Sequence, residues 1–317
     1  MGKSAHSTTK NLDHMAVKLD RDFLEPRVLG RLAGLPLHAR FPMLGNVTGR
    51  HRSPIRGSSL EFAQYRKYVP GDDTRRLDWR AYARSDRFYI KEFEADTNLR
   101  LCLVVDTSGS MKYGIDGGMT KIEYARRLAG TLAYLASRQG DAVGLHCSAE
   151  EFVKEIPPKR SAAHLRFVLD ELGKMDGEGA TGLDKALHLV ADKVSPRALI
   201  VIISDLFIEP AKLKSGFQHL RYRKHDVAVF HLLEQAEIDF SFDRPIRFVD
   251  REGNNSVLAD PAMIAQQYRT AVQQYLDELK VVIRDAMIDY NVVTLQDKYD
   301  DVLASFLLGR TPKTARS

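Results

Sequence analysis

The sequence predicts a doubly wound, mostly parallel α/β sheet that follows a β-rich N-terminal extension. From about residue 99 onward, short apolar runs of strand length alternate with segments whose apolar residues recur at helical spacing. The run at 198–204 is almost wholly aliphatic, as in a strand that helices cover on both faces. Residues 35–98 contain short aromatic and β-branched pieces broken by prolines, without a long helical period.

Each element of the α/β part has its own signal. Apolar runs bounded by turn residues predict strands at 100–106, 142–147, 198–204, 227–233 and 292–296. A capping-box pair, Thr120 and Glu123, marks the first long helix, whose apolar stripe stops at Gly140. Further helices are predicted around 165–172, after Thr181, and over 211–223, 260–290 and 299–309. A hairpin is predicted at 245–259 with its turn at 253–255, and residues 13–33 are predicted to be helical in part.

These elements divide the chain into four predicted parts. They are an N-terminal tail and partly helical lead-in at 1–34, a β-rich extension at 35–98, an α/β domain at 99–310 and a basic tail at 311–317.

The composition is that of an ordinary globular protein. Apolar residues make up 44% of the 317 residues and charged residues 28%. No apolar run approaches the roughly 20 residues that span a bilayer, and the first ten residues lack the apolar segment of a secretory signal. Cys102 and Cys147 lie in apolar runs, where buried reduced thiols are expected. We therefore expect a cytoplasmic protein without a membrane span.

The net charge of +5 argues against nucleic acid as the partner because of where it lies. It is accounted for by residues of the two end segments, Lys3, Lys10, Arg310, Lys313 and Arg316. The rest of the chain holds 42 basic and 42 acidic residues. A neutral body with basic ends predicts weak, salt-sensitive contacts with anions at most.

Oxygen-bearing side chains lie on three separate loops of the predicted α/β part. Asp106, Ser108 and Ser110 come directly after the first strand, Thr181 precedes a helix, and Asp205 ends the run at 198–204. Because the carboxyl ends of parallel strands share one edge of a sheet, we expect Asp106 and Asp205 to lie at the same edge. Carboxylate and hydroxyl oxygens are the ligands that a small divalent cation such as Mg²⁺ takes.

Each part of this set also has an ordinary structural explanation. Serine and glycine after a strand commonly make a turn, so Asp106-x-Ser108-x-Ser110 is a weak motif by itself. Thr181 could cap the following helix, with Asp184 at the third helical position.

Taken together, Asp106, Ser108, Ser110, Thr181 and Asp205 resemble the metal-ion-dependent adhesion site (MIDAS) of von Willebrand factor A domains, over roughly residues 99–310. The resemblance implies that the three hydroxyls bind the ion directly and that the two aspartates act mainly through water. It implies Mg²⁺ as the ion, with Mn²⁺ or Ca²⁺ as substitutes, and a Glu or Asp of a partner that completes the coordination shell.

A second polar block lies before this domain, at 57–84. Its candidate partner-binding residues are Arg66, Tyr68, Asp72, Arg76, Asp78, Trp79 and Arg84. An internal lattice of ion pairs, with Trp79 anchored against the core, explains the same residues. The interspersed acids disfavour a surface for single-stranded nucleic acid.

With this block, residues 20–310 resemble the bacterial proteins of domain-of-unknown-function family 58, through Glu61-Phe62, Arg66-x-Tyr68, Gly71-Asp72 and Asp78-Trp79. The resemblance implies a MoxR-type AAA+ ATPase, or a client of that ATPase, as the protein partner, in the maturation or remodelling of other proteins. Some members of this group carry N-terminal membrane helices.

The sequence favours a binding module over an enzyme. Ser108 does not lie in the Gly-x-Ser-x-Gly pattern of a nucleophile elbow, and Gly117-Gly118 is not followed by the Gly-Lys-Ser/Thr of a phosphate loop. We predict a non-enzymatic, metal-dependent protein-binding module. A Mg²⁺-dependent hydrolase or phosphatase is the alternative. We also expect Asp106 to lie at the rim of the fold, so that Asp106→Ala would leave the fold largely intact.

Overall fold

A computed structural model describes residues 21–40, 61–68, 78–85, 87–94, 99–114, 118–149, 153–242, 244–253 and 256–311. The strands are β1 (Glu61–Lys67), β2 (Tyr89–Glu94), β3 (Arg100–Asp106), β4 (Ala142–Ser148), β5 (Val153–Lys159), β6 (Leu199–Ser204), β7 (Asp226–Leu233), β8 (Ile246–Val249), β9 (Ser256–Ala259) and β10 (Asp289–Thr294). The helices are α1 (Pro26–Leu32), α2 (Trp79–Ser85), α3 (Lys121–Arg138), α4 (Ala162–Lys174), α5 (Leu183–Lys193), α6 (Pro210–Tyr222), α7 (Gln235–Asp239), α8 (Pro261–Asp285) and α9 (Tyr299–Arg310).

Six strands form the central sheet in the order β10-β7-β6-β3-β4-β5. All pairs are parallel except β4 with β5, which is antiparallel. The parallel strands alternate with helices along the chain, which requires crossover connections. The predicted doubly wound, mostly parallel α/β fold is therefore confirmed.

The sheet separates two apolar layers. On one face, Leu103 and Val105 of β3 pack in a cluster with Leu128 of α3, and α4 and α9 contribute to the same cluster. On the other face, Val104 of β3 packs in a cluster with Leu187 of α5, and this cluster includes residues of α6 and α8. Successive residues of a strand point to opposite faces, so β3 is buried on both sides. Each such side chain contributes about 1.5–3 kcal/mol through burial.

Helix α3 begins where its capping signal predicts. Thr120 N donates to Glu123 Oε2 at 2.9 Å, and Glu123 N donates to Thr120 Oγ1 at 3.4 Å. The chain leaves the helix at Gly140, whose φ of +85° is readily adopted by glycine. This capping box fixes the first turn of α3, which lies beside the candidate site.

The structure differs from the predicted elements mainly at the two edge strands of the sheet, β5 and β10. Strand β5 was not predicted because its sequence contains Pro157 and Pro158. Prolines are tolerated in an edge strand, which is the position of β5 in the sheet. Strand β10 begins at Asp289, earlier than predicted, and helix α8 ends at Asp285, earlier than predicted. The predicted hairpin at 245–259 is confirmed as the β8–β9 pair, while residues 254–255 of its turn lie outside the described residues.

The segments before the α/β part also have order in the described residues. Helix α1 buries Val28, Leu29 and Leu32 in the same cluster as α3 and α9, which agrees with a partly helical lead-in. Strands β1 and β2 form a separate antiparallel pair with α2 between them in sequence. The predicted division of the chain into four parts stays a prediction.

Arg310 does not belong to a basic end segment, and that prediction is wrong. It lies in the last turn of α9 with a fully buried side chain, and its Nη1 donates to Asp226 Oδ2 at 2.7 Å. Its guanidinium also pairs with Asp289 Oδ2 at 3.0 Å. The other basic residues of the ends, Lys3, Lys10, Lys313 and Arg316, lie outside the described residues.

Two remaining expectations concern burial and membranes. Cys102 and Cys147 are buried free thiols, as predicted. Among the described helices, none combines the length and the apolar character needed to cross a bilayer.

Candidate functional site

The candidate site lies at the carboxyl ends of the neighbouring strands β3 and β6. Asp106 is the last residue of β3, and Asp205 directly follows β6. A short 3₁₀ turn, Gly109–Lys112, follows Ser108, and Thr181 lies two residues before α5. The topology thus brings the three predicted loops to one edge of the sheet.

Asp106 is the centre of a hydrogen-bond network. Its Oδ1 accepts from Ser108 N at 3.0 Å, and its Oδ2 accepts from Ser204 Oγ at 2.7 Å and from Thr181 Oγ1 at 3.1 Å. The residue is fully buried, so the expectation that it lies at the rim is wrong. Removing the carboxylate would leave these donors without an acceptor, which costs stability as well as binding.

The hydroxyls of Ser108 and Ser110 complete this network. Their Oγ atoms lie 3.0 Å apart, with Ser108 buried and Ser110 half-buried. The alternative explanation of Thr181 as the cap of α5 does not hold: the capping position is Gly182, and the Thr181 hydroxyl accepts from Leu183 N at 3.4 Å. Four of the five predicted residues are therefore connected through hydrogen bonds.

The fifth residue, Asp205, pairs with a lysine that sequence reasoning missed. Lys121 Nζ donates to Asp205 Oδ2 at 2.9 Å and to Glu237 Oε1 at 2.7 Å, and the lysine side chain is fully buried. It lies 5.7 Å from the ring centre of Tyr113 and 5.6 Å from that of Phe207. Burial alone would lower the pKa of Lys121, but the two carboxylates raise it above its ordinary value.

The two aspartates differ in how their charge is balanced. Asp205 has the Lys121 ammonium, whereas the hydrogen bonds to Asp106 come from hydroxyls and an amide. Burial, together with the negative charge of Asp205, raises the pKa of Asp106 to about 6. The side of the site around Asp106 therefore favours an added positive charge.

The oxygen atoms of these residues are suitable ligands for a divalent cation such as Mg²⁺. The donors are hydroxyl and carboxylate oxygens, the set that Mg²⁺ takes, and Asp106 is a buried carboxylate without a cationic partner among its hydrogen bonds. No group of three or more His, Cys, Asp or Glu side chains in the described part of the chain is arranged to hold a metal. A cation here would thus depend on Ser108, Ser110 and Thr181.

The site opens into a groove of about 1050 Å³. Ser110 and the 3₁₀ turn form one side of the groove, and the β8–β9 hairpin with α7 and its flanking residues forms another. Its lining includes the aromatic side chains of Tyr113, Phe207, Phe240, Phe242, Phe248 and Tyr268. Charged residues of both signs lie among them, including Lys112, Glu178, Arg247 and Glu252.

The polar block before the α/β domain is only partly described. Asp72 and Arg76 lie outside the described residues, and for Arg66 the structure describes the backbone in β1 but not the side chain. Arg84 is exposed at the end of α2. That these residues form one partner-binding surface therefore stays a prediction.

The described members of that block have local roles. Asp78 is buried, and its Oδ1 accepts from Ala81 N at 3.2 Å in the first turn of α2. Tyr68 contacts Phe88 edge to face, with ring centres 6.3 Å apart. Trp79 is 61% exposed, so its predicted role as an anchor against the core is wrong.

The sheet, its helices and the loops at its carboxyl edge define a doubly wound, mostly parallel α/β protein with a polar site at the ends of β3 and β6. The chain belongs to the family described as "Protein of unknown function DUF58", whose model matches residues 64–278. Uncharacterized proteins of Mycobacterium tuberculosis and Mycobacterium bovis are 25% identical to it over 275 residues, covering 85% of this chain and 86% of theirs.

Several solved structures are similar to this chain at low identity. The conserved hypothetical protein BatB from Bacteroides thetaiotaomicron is 16% identical with a TM-score of 0.47, over 68% of this chain and 100% of BatB. An aerotolerance-related membrane protein from Bacteroides fragilis is 16% identical with a TM-score of 0.44, over 66% of this chain and 96% of that protein. The SpRpn10 VWA domain is 8% identical with a TM-score of 0.41, over 69% of this chain and 100% of the domain.

Proposed function

We propose that this protein is a non-enzymatic binding module whose site at the carboxyl edge of the sheet holds Mg²⁺ and docks an acidic residue of a protein partner. Ser108, Ser110 and Thr181 would hold the ion directly, with Asp106 and Asp205 acting mainly through water. A bound Mg²⁺ supplies an electron-poor centre that accepts a carboxylate oxygen from outside the chain.

One observation carries this proposal: Asp106 is a buried carboxylate whose hydrogen bonds come from neutral donors, beside hydroxyls that reach a groove. A carboxylate in this environment is costly unless a cation balances it. Ser110 connects this buried charge to the groove, since it contacts Ser108 and also lines the groove wall. A partner side chain that enters the groove would reach the site at this hydroxyl.

The partner that we propose is a MoxR-type AAA+ ATPase or a client protein of that ATPase. This part rests on the resemblance of the polar block and the α/β domain to the family, and on the mixed charges and aromatic side chains of the groove. Such a lining suits a peptide or protein surface with apolar residues next to an acid.

Metal binding is tested first, by titrating the chain with Mn²⁺ and following the free-ion signal by electron paramagnetic resonance. Ser110→Ala and Thr181→Val should weaken binding at least about tenfold, as is common for changes around metal sites. Ser215→Ala is the matched control, because this exposed hydroxyl on α6 forms hydrogen bonds with Lys212 O and His188 Nε2 rather than with the proposed ligands. Equal Mn²⁺ affinity in all four proteins would refute the proposal.

Partner docking is tested with the purified AAA+ ATPase in the presence of Mg²⁺ or EDTA. Binding that requires Mg²⁺ and is lost in Ser110→Ala supports docking through the ion. Equal binding in both buffers would assign docking to another surface, and exposed Trp79 and Arg84 would then be the residues to change.

The hydrolase alternative gains no support from the histidine that contacts Asp205. His231 Nε2 lies 2.8 Å from Asp205 O and Nδ1 lies 2.7 Å from Tyr290 Oη, so both ring nitrogens are engaged. A phosphoester substrate panel tests this alternative directly. Mg²⁺-dependent turnover that Ser110→Ala abolishes would favour the enzyme.

A further inference from the structure

The loop of the β8–β9 hairpin, residues 250–253, packs directly onto the loop that carries the serines. A Cβ atom placed on Gly109 would lie 2.0 Å from Arg251 O, so only glycine allows this approach. The Arg251 guanidinium lies 5.9 Å from the ring centre of Tyr113, next to the same 3₁₀ turn. The hairpin is therefore in contact with the site as well as with the groove.

This contact brings a further carboxylate to the site. Glu252 Oε2 accepts from Thr181 N at 3.3 Å, which places the carboxylate beside one of the proposed hydroxyl ligands. Asp250 Oδ1 accepts from Glu252 N at 2.9 Å and so fixes the turn that presents Glu252.

The second carboxylate oxygen of Glu252 indicates that a cation binds next to it. Oε1 is buried and has no hydrogen-bond partner among the described residues, although the Glu252 residue as a whole is half-buried. A buried carboxylate oxygen without a donor is unfavourable unless a cation lies next to it. Among the described residues, the hydrogen bond from Thr181 N engages one carboxylate oxygen of Glu252 and leaves the other without a donor.

The position of Glu252 matches the role that the proposed function gives to the partner. Both are acidic side chains that reach the serine and threonine loops from the groove side. Glu252 reaches Thr181 from the hairpin, and the hairpin residues Arg247, Phe248 and Val249 form part of the groove lining. A partner acid would approach along the surface that the hairpin now covers.

We propose that Glu252 is the chain's own carboxylate ligand for this cation site, and that an acidic residue of the partner must displace it to dock. This inference rests on the proposed function, because it requires a cation at the Ser108, Ser110 and Thr181 hydroxyls. Under this inference, Glu252 competes with the partner's acidic residue for the cation. The β8–β9 hairpin would therefore move away from the site when the partner binds.

The test measures Mn²⁺ affinity in wild type, Glu252→Gln and Glu178→Gln, with Ser110→Ala as the reference for loss of the site. Glu178 is the matched control because it lines the same groove with an exposed side chain. We expect Glu252→Gln to weaken Mn²⁺ binding at least about tenfold and Glu178→Gln to leave it within about twofold. Mn²⁺ should also slow hydrogen exchange over 246–259 in wild type but not in Glu252→Gln.

The outcomes separate this inference from the function on which it rests. If wild type binds Mn²⁺, Ser110→Ala binds it at least about tenfold more weakly, and Glu252→Gln equals wild type in affinity and exchange, the inference is overturned while the function stands. If wild type binds no Mn²⁺, or Ser110→Ala binds it equally well, both are overturned.

Displacement is tested at saturating Mn²⁺ with a labelled peptide that carries a single central Glu and no other charge. Glu252→Gln should bind this peptide at least about threefold more tightly than wild type, because the competing internal carboxylate has been removed. Equal or weaker binding by Glu252→Gln would overturn the displacement.

Discussion

The central sheet has an amino edge, where its parallel strands begin, and a carboxyl edge, where they end. Both edges bury carboxylates, but the negative charge is balanced differently at each. At the amino edge, Asp226 and Asp289 begin β7 and β10, and both pair with the buried Arg310. Arg40 adds a second cation, with Nη2 at 2.9 Å from Asp289 Oδ1. This edge therefore has two acids and two cations in contact.

At the carboxyl edge, acids outnumber cations. Lys121 pairs with Asp205 and Glu237, while Asp106 lies nearby with hydrogen bonds from neutral donors. A balanced buried network maintains the fold, whereas a buried excess of one charge indicates a place where a ligand completes the balance. The comparison thus supports a structural role for the amino edge and agrees with the binding role that we propose for the carboxyl edge.

The largest loss of stability should come from removing the cation that balances the buried carboxylates at the amino edge. Arg310→Met leaves Asp226 and Asp289 buried without their shared cation, so we expect a loss of about 3–5 kcal/mol in the free energy of unfolding. Urea denaturation measures this change. Arg284→Met, an exposed arginine at the end of α8, is the control and should change stability by less than about 0.5 kcal/mol. Comparable stability of the two variants would contradict a structural role for this edge.

Lys121→Met should have a somewhat smaller effect, and one that depends on divalent ions. In EDTA we expect a loss of about 2–4 kcal/mol, because Asp205 and Glu237 lose their cation. Part of this loss should be recovered in millimolar Mg²⁺, since an added cation restores positive charge at this edge. Thermal unfolding in both buffers measures the recovery.

Arg310→Met is the control for that recovery. This substitution removes a cation at the opposite edge of the sheet, so the stability that Arg310→Met loses should be the same with and without Mg²⁺. Recovery in both variants, or in neither, would remove the distinction between the two edges.

The elements that form the site could be predicted because strong local signals determine them. The aliphatic runs that end at Asp106 and Asp205 predict strands, and parallel strands bring their carboxyl ends to one edge of the sheet. The resemblance of the five-residue set, rather than strand topology, predicts Thr181 near Asp106, and their side chains do form a hydrogen bond. Whether a metal binds there stays a prediction.

Lys121 and Glu252 could not be identified in the same way. A lysine in the first turn of a helix is usually exposed, and only its position on the stripe shared with Ala125, Leu128 and Leu132 signals that it points inward. Glu252 lies in a predicted hairpin, but the way that hairpin packs on Gly109 depends on contacts distant in sequence. Such contacts have no local pattern.

The pH dependence of stability sharpens the comparison at the amino edge. Burial lowers the pKa of His225 to about 4, and Ala198 N donates to its Nδ1 at 3.2 Å, which requires an unprotonated nitrogen. The unfolded chain therefore binds the proton more tightly, and this contribution to stability is present above about pH 6.5 and is lost as the pH falls towards 4. We expect a loss of about 2 kcal/mol from this residue between pH 7 and pH 4.5.

His225→Asn should remove most of that loss, because its amide oxygen accepts from Ala198 N without titrating. Wild type and variant are compared by urea denaturation at pH 8, 7 and 4.5, and their difference in stability should be constant between pH 8 and 7. A difference that stays constant down to pH 4.5 would contradict this role for His225.

The smallest loss of stability should come from removing Arg40, the second cation of the amino edge. Arg40→Ala removes a half-exposed guanidinium from Asp289, but Arg310 still pairs with that acid, and Arg40 N keeps its 2.7 Å hydrogen bond to Asp226 Oδ2. We therefore expect a loss of less than about 1 kcal/mol. In the Arg310→Met background the same change should cost more, because Arg40 is then the cation left beside Asp289, and a double-mutant cycle measures the difference. Strict additivity would mean that the two arginines do not share the charge of Asp289, and the amino edge would then depend on Arg310 alone.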